Sequence, residues 1–196
     1  GDHGRSTAAG FSNSLGPMSD RKPVLETERL ALREMRLGDL DFVSAMLADT
    51  ELMRYYPQTC SREDAAAWIK RQTERYERDG HGLWLVESKQ SGEPVGQVGL
   101  IMQEVEGAPE PEIGYLIHRP FWRLGYAYEA AAATRELALG PLGMRRVISL
   151  VRPINVPSQA VARKLGMSLE RTTSFRGFEH LVYSLELPPP LPGPAS

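Results

Sequence analysis

Glu112-Ile-Gly-Tyr-Leu-Ile-His-Arg-Pro-Phe-Trp-Arg-Leu-Gly-Tyr-Ala-Tyr-Glu-Ala130 runs from a short strand through a turn into a helix, and its reading decides the fold. Glu112 to His118 reads as the strand, and Pro120, which has no N–H to give a ladder, stops it continuing in a sheet interior. From Ala127 the small or apolar residues Ala127, Ala130, Ala131, Thr134, Leu137 and Ala138 recur at three- and four-residue steps, the signature of a helix with one face on a sheet. Gly140-Pro141 ends it. A helix start exposes free backbone N–H groups and the positive end of the helix dipole, an anion site suited to a diphosphate. Gly125 lets the backbone approach such a group closely, small Ala127 does not obstruct it, and Arg119 and Arg123 could add charge-assisted contacts. A plain helix start with surface arginines would leave the same trace.

Outward from that stretch the chain alternates strands and helices. Arg29-Leu-Ala-Leu-Arg-Glu-Met35 has the period of two expected of a half-buried strand. Asp39 is placed to cap a helix running to about Ala48, and Ser61 with Asp64 forms a capping-box opening for a helix to about Arg78. Gly82 to Ser88 and Val95 to Gln103 read as an antiparallel hairpin across Gln90-Ser-Gly-Glu-Pro94. Beyond the central helix, Arg145 to Val151 is a strand, and Pro157 opens a helix that ends at Leu165 with Gly166 as its C-terminal cap. A final hairpin, Leu169 to Ser174 and Phe178 to Leu187, turns at Arg176-Gly177. The predicted class is α/β, a mixed and mostly antiparallel sheet of about seven strands flanked by about four helices.

A second stretch, Asn155-Val-Pro-Ser-Gln-Ala-Val-Ala-Arg-Lys-Leu-Gly-Met167, follows a strand directly. With the first it narrows the chemistry. Only one glycine of a G-x-G-x-x-G fingerprint is present, and it lies late in the chain, so a Rossmann site is excluded; no Gly-Lys-Ser/Thr makes a P-loop.

Together the two stretches resemble the GNAT superfamily of N-acetyltransferases. Leu25-Glu-Thr-Glu-Arg-Leu-Ala-Leu-Arg33, Glu112-Ile-Gly-Tyr115, Trp122-Arg-Leu-Gly-Tyr-Ala127 and the Asn155 stretch look like the RimJ/RimL branch of ribosomal-protein N-terminal acetyltransferases, over about Leu25 to Leu187. The resemblance implies a sheet splayed in its middle and direct acetyl transfer from acetyl-CoA to a primary amine, on a protein N-terminus or a small molecule, in a ternary complex. By position, the backbone of Leu116, Ile117 and His118 would hold the pantetheine arm, and Arg123, Leu124, Gly125, Tyr126 and Ala127 the diphosphate. Asn155 and Ser158 match positions that face the pantetheine and thioester. Trp122 stands where the superfamily often has Gln or Arg, which removes one side-chain donor to phosphate.

The chemistry assigns tasks. The attacking ammonium must lose a proton, the carbonyl oxygen gains negative charge, and the leaving thiolate benefits from a proton. Glu112 is the candidate base, directly or through water; it could also be an exposed strand residue or a simple anchor for the cationic amine. A backbone N–H near Ile117 would polarise the carbonyl. Many superfamily members place a tyrosine seven residues after the motif asparagine, but here that position is Ala162, so Ser158 becomes the candidate acid, against a role in capping the helix or binding CoA. The missing tyrosine also keeps open a non-catalytic module that binds or senses acyl-CoA. Tyr55, Tyr56 and Trp84 are candidates for the acceptor site, in or near the segment that covers it in the superfamily; Trp68 and Tyr76, on one helix face, read as core or groove packing.

Composition narrows the rest. With 23 Lys+Arg against 25 Asp+Glu, the charge of -2 argues against a nucleic-acid partner. The lone Cys60 rules out an internal disulfide framework, and the four histidines lack metal-ligand spacing. No run of 18 apolar residues predicts a membrane span, and a cytoplasmic location is the default. Residues 1–22 are expected to be a disordered leader, the first 17 of them an expression remnant before a natural start at Met18. Residues 23–187 make one domain, and 188–196 a Pro-rich disordered tail, unlikely on composition to act as a polyproline ligand. A homodimer through an exposed strand edge is compatible with the pattern but not shown by it.

Overall fold

The computed structural model describes residues 22–195, so the expected leader and its Met18 start lie outside the described residues except for Lys22. The strands are β1 (Leu25–Glu26), β2 (Leu30–Arg33), β3 (Leu83–Ser88), β4 (Pro94–Val105), β5 (Ala108–Ile117), β6 (Arg146–Val151), β7 (Ser168–Phe175) and β8 (Phe178–Glu186). They form one sheet in the order β1-β2-β3-β4-β5-β6-β8-β7. The helices are α1 (Leu40–Leu47), α2 (Arg62–Asp79), α3 (Tyr126–Leu139) and α4 (Val156–Lys164). The eighth strand is the two-residue β1, which folds back on β2 through a turn closed by the Thr27 N–H on the Leu30 carbonyl. Residues 188–195 carry no regular structure.

Every neighbouring pair of strands is antiparallel except β5 and β6, which are parallel and share a single register pair, Glu112 with Ile148. The sheet therefore opens between its two halves just past Glu112.

Each face of the sheet is covered by helices. On one, the alanine face of α3 lets that helix sit close to Leu30, Leu32, Val86, Val98 and Ile113, with Ala162 and Leu165 of α4 completing the core. On the other, Val43, Met46 and Leu47 of α1 and Ala65 and Ile69 of α2 pack on Leu83, Leu85 and Ile101. Burial of apolar area of this kind stabilises by roughly 25 cal/mol per Å². In β4, Gly99 is required by a close crossing: a Cβ there would stand 2.0 Å from the Gly82 carbonyl oxygen.

Two local expectations turn out differently from one another. Ser61 and Asp64 form the reciprocal capping box, at 3.1 and 3.0 Å, and α2 closes at left-handed Gly80. Asp39, in contrast, does not cap α1. Its carboxylate accepts a fork of bonds from Arg33 (2.9 and 2.8 Å) and the Arg36 N–H (2.9 Å), because the buried Arg33 guanidinium needs a partner more than a solvated helix end does.

Candidate active site

The site lies where β5 and β6 separate. The His118 N–H is bonded to the Val95 carbonyl in β4, so the alternation of an antiparallel ladder turns the amides of Tyr115 and Ile117 the other way, into the gap. Carbonyls on that side are taken by side chains: the Trp122 indole N–H donates to the Ile117 carbonyl at 2.7 Å and the Ser149 hydroxyl to that of Ile113 at 2.8 Å. Trp122 thus serves the strand rather than a phosphate.

Glu112 is buried, which excludes the exposed-strand reading. Its Oε2 accepts the Leu150 N–H at 2.8 Å and its Oε1 the Gln103 amide at 3.1 Å. Burial raises its pKa; those two bonds and the more distant Arg176 and Arg75 pull the other way without cancelling the rise. The carboxylate lines a cavity of about 390 Å³ that reaches from Leu47 and Trp68 through the fork to Asn155 and Ser158.

At the fork's far end, Asn155 caps α4, its Oδ1 accepting the Ser158 N–H at 3.2 Å. The Ser158 carbonyl accepts the Tyr115 hydroxyl at 2.6 Å. Tyr115, whose ionisation is pushed up by burial and then by the charge of Glu112, was not singled out in the sequence. Its place on a strand gave no sign that it would reach under α4.

Below the fork, Arg119–Phe121 forms a 3-10 turn, Arg123 takes φ 63°, and left-handed Gly125 (φ 81°) starts α3 with no side chain capping its first amides. Arg123, Leu124 and Gly125 are exposed, and Tyr126 and Ala127 begin the helix. Arg119 does not face this turn as a free cation, since it pairs with Asp49 at 2.9 Å. The acid in the first turn of α3, Glu129, is held by the Thr27 hydroxyl at 2.5 Å and by Arg29 at 2.7 Å. Burial would raise its pKa, but these partners outweigh that and hold it below the ordinary carboxylate value, so its charge is matched beside the open helix start. The His118 ring packs on Phe42, 5.5 Å between centroids, and its backbone is engaged on both sides, the N–H by the Val95 carbonyl and the carbonyl by the Phe121 N–H.

At its other end the cavity is lined by Tyr55 and Tyr56, in the turns between α1 and α2. Tyr56 is 45% exposed as a residue, and desolvation at the cavity wall with the charge of Glu112 pushes its pKa up to about 12. Trp84 is a correction. It is 1% exposed in the core beneath α3, because β3 alternates and sends Leu83 and Leu85, not Trp84, toward the cavity side. Trp68 does line the cavity, its indole N–H on Gln97 Oε1 at 2.8 Å, whereas Tyr76 anchors α2 to the sheet through the Leu83 carbonyl. Gln103, Arg152, Arg176 and His180 also line it and were not singled out; the β7–β8 hairpin brings the last two there from the end of the chain. No group of His, Cys, Asp and Glu among the described residues is arranged to hold a metal.

A sheet that opens at a buried carboxylate, above a glycine-initiated helix whose first amides no side chain caps, is the architecture that places this chain among the acyltransferases. The chain belongs to the GNAT acetyltransferase family: the Acetyltransferase (GNAT) domain matches residues 29–168, and the protein is an acetyltransferase enzyme. It is 32% identical over 152 residues to the uncharacterized protein YkkB of Bacillus subtilis, covering 77% of this chain and 88% of that one. It is 28% identical to the uncharacterized N-acetyltransferase YnaD of the same organism, over 74% of this chain and 83% of that one. Its fold matches an acetyltransferase of Agrobacterium tumefaciens with TM-score 0.73 and 27% identity, covering 93% of this chain and 99% of that one. The fold is also that of RimL, a ribosomal-protein acetyltransferase solved with coenzyme A, at TM-score 0.69 and 17% identity over 85% of this chain and 98% of that one.

Proposed function

We propose that this enzyme transfers the acetyl group of acetyl-CoA to a primary amine by direct attack in a ternary complex. The observation that carries the reading is the position of Glu112, the last residue paired across β5 and β6, facing a cavity that continues through the opening to the amides of β5. The donor set fits acetyl-CoA. Amides of Tyr115 and Ile117 are turned into the gap, and Arg123, Leu124, Gly125, Tyr126 and Ala127 present an open helix start to a diphosphate. Leu116, Ile117 and His118 would align the pantetheine arm as an added strand, with Asn155 and Ser158 beside the thioester. When bound, acetyl-CoA supplies an acyl group already activated as a thioester, so neither a metal nor Cys60 is needed.

The residues then divide the work. Glu112, ionised, takes the proton of the incoming ammonium, directly or through water; its raised pKa makes it a better base at neutral pH than an ordinary carboxylate. The Ile117 N–H polarises the carbonyl oxygen as it gains charge. Ser158, whose hydroxyl meets no hydrogen-bond partner among the described residues and lies at the first turn of α4, donates to the sulfur. The amine enters between the Tyr55–Tyr56 turns and β8. The test is acetyl-CoA consumption with a panel of primary amines, read as free thiol together with acetylated product by mass spectrometry. Thiol release that depends on the amine is expected; tight CoA binding with no thiol release for any amine would overturn the transfer reading and leave a binding module.

A further inference from the structure

The acceptor end of the cavity is not neutral. Arg152 lies just past β6, two residues beyond Leu150, whose N–H holds Glu112, so the two positions lie on one side of the chain about 7 Å apart along it. Its Nη1 donates to the Tyr55 carbonyl at 3.1 Å and its guanidinium lies 4.6 Å from the Phe178 ring centroid. Its Nε is buried and meets no acceptor, and no carboxylate among the described residues pairs with it. The Nε–Nη2 edge, the side of a guanidinium that takes a carboxylate bidentately, is thus left without a partner.

Arg176, at the tip of the β7–β8 hairpin, adds a second cation to the same cavity. Its guanidinium lies 5.1 Å from the Phe175 ring centroid, and it too has no ion-pair partner among the described residues. His180 lines the same cavity, edge-on to Phe175 at 5.4 Å. Burial, against the bond its ring makes to the Phe178 carbonyl and with smaller help from the charges of Arg152 and Arg176, keeps it below its ordinary pKa. Glu179 alternates to the other face of β8 and does not offset the two arginines. Within one cavity there is then one buried acid, Glu112, and two arginines without acids of their own, separated by aromatic walls.

We infer that the acceptor is an amine that also carries a carboxylate, its amino group directed to Glu112 and its carboxylate to the Nε–Nη2 edge of Arg152 with Arg176 at the mouth. The amine end of this assignment rests on the transfer reading above; the anion end does not. Aromatic surfaces from Tyr56, Trp68 and Phe178 would enclose the carbon spacer between the two charges. The same chemistry is presented by a free amino acid and by a peptide N-terminus followed by an acidic residue.

The experiment is calorimetric titration of the CoA-saturated protein with amino acids of increasing amine-to-carboxylate spacing, each beside its carboxamide. Peptides with aspartate or asparagine at the second position form a second arm that separates the two sources. At one spacing or in one peptide pair, the acid is expected to bind at least about tenfold more tightly than the amide. Arg152→Gln should bring that ratio to within about twofold, Arg152→Lys should keep part of it, and Arg176→Gln should lower it less. If Arg152→Gln melts without cooperativity because the Tyr55 turn is released, Arg176→Gln decides. Acids and amides that bind alike throughout, or not at all, overturn the inference; so does a preference that survives both glutamine variants. Acetyl transfer on the same series keeps the two readings apart. Acid-selective binding without thiol release sinks the transfer reading alone, while equal turnover of acids and amides sinks the anion site alone.

Discussion

In the role of base proposed for it, Glu112 meets opposed demands, since a base must be ionised while its buried site favours the protonated form. A group whose folded pKa is raised adds stability below its unfolded value, ordinarily 4.5, and loses that contribution as pH rises through the folded value. Ionisation of the buried carboxylate therefore opposes folding. Glu112→Gln can still accept the Leu150 N–H, and Gln103 can rotate its amide to present oxygen, so the variant is expected to melt no lower than the parent. It should lose about 100-fold or more in kcat/KM, together with the acidic limb of the pH–rate profile. Calorimetry and a pH–rate series check both halves, and an acidic limb retained in the variant would assign the proton transfer elsewhere. Ser158→Ala should lower kcat about tenfold with little change in KM for acetyl-CoA; unchanged turnover would leave the serine only its helix-start place. At this scale the motif pointed to Glu112, Asn155 and Ser158, because their types and spacing are local. Arg152 and Tyr115 carried no such mark, for their meaning lies in partners 97 and 43 residues away in the chain.

Elements were legible to the extent that their signals are local. The capping box of α2, the proline in the first turn of α4 and the Arg176-Gly177 turn of the last hairpin each act within a few residues, and each stands where the pattern put it. The face of β3 was not legible: Leu83, Trp84, Leu85 and Val86 are all buried, so no polar alternation says which side meets the cavity. Helix α3 makes the clearest test of an element's role. Gly125 holds φ 81° at its start, a conformation that costs an L-residue about 1 kcal/mol, and a Cβ there would meet the Arg29 guanidinium at 3.4 Å. Gly125→Ala is expected to raise KM for acetyl-CoA several-fold while leaving kcat at saturation close to the parent's. A fall in kcat with KM unchanged, measured by initial rates over a donor series, would separate this turn from diphosphate binding.

The two halves of the molecule open at one end of β5 and β6 and are tied together at the other. Arg146 pairs there with Glu110 at 2.9 Å and Glu170 at 2.8 Å, joining β5, β6 and β7, while Arg171 bonds Glu106 at 3.0 Å. The Arg146 guanidinium, against some burial, holds the Glu170 pKa below its ordinary 4.5. A depressed carboxylate adds stability above its unfolded pKa and loses it as pH falls through the folded value, so this contribution fades below about pH 4.5. Glu170→Gln should cost about 0.5–1 kcal/mol at neutral pH, since Glu170 is one-third exposed, and should flatten the acid side of the stability curve. Denaturant melts at pH 7 and below pH 4 check this, and parallel curves for parent and variant would show that the pair adds nothing.

The order of strands and helices, the helix start at Gly125 and the family were settled along the chain itself, because periodicity, caps and turn residues act between neighbours in sequence. The opening of the sheet at Glu112, the burial of Trp84 away from the cavity and the gathering of Arg152 and Arg176 opposite a single acid were decided only in three dimensions. Each depends on which distant segments pack together, and a charge acquires its partner, or goes without one, only after the chain has closed around it.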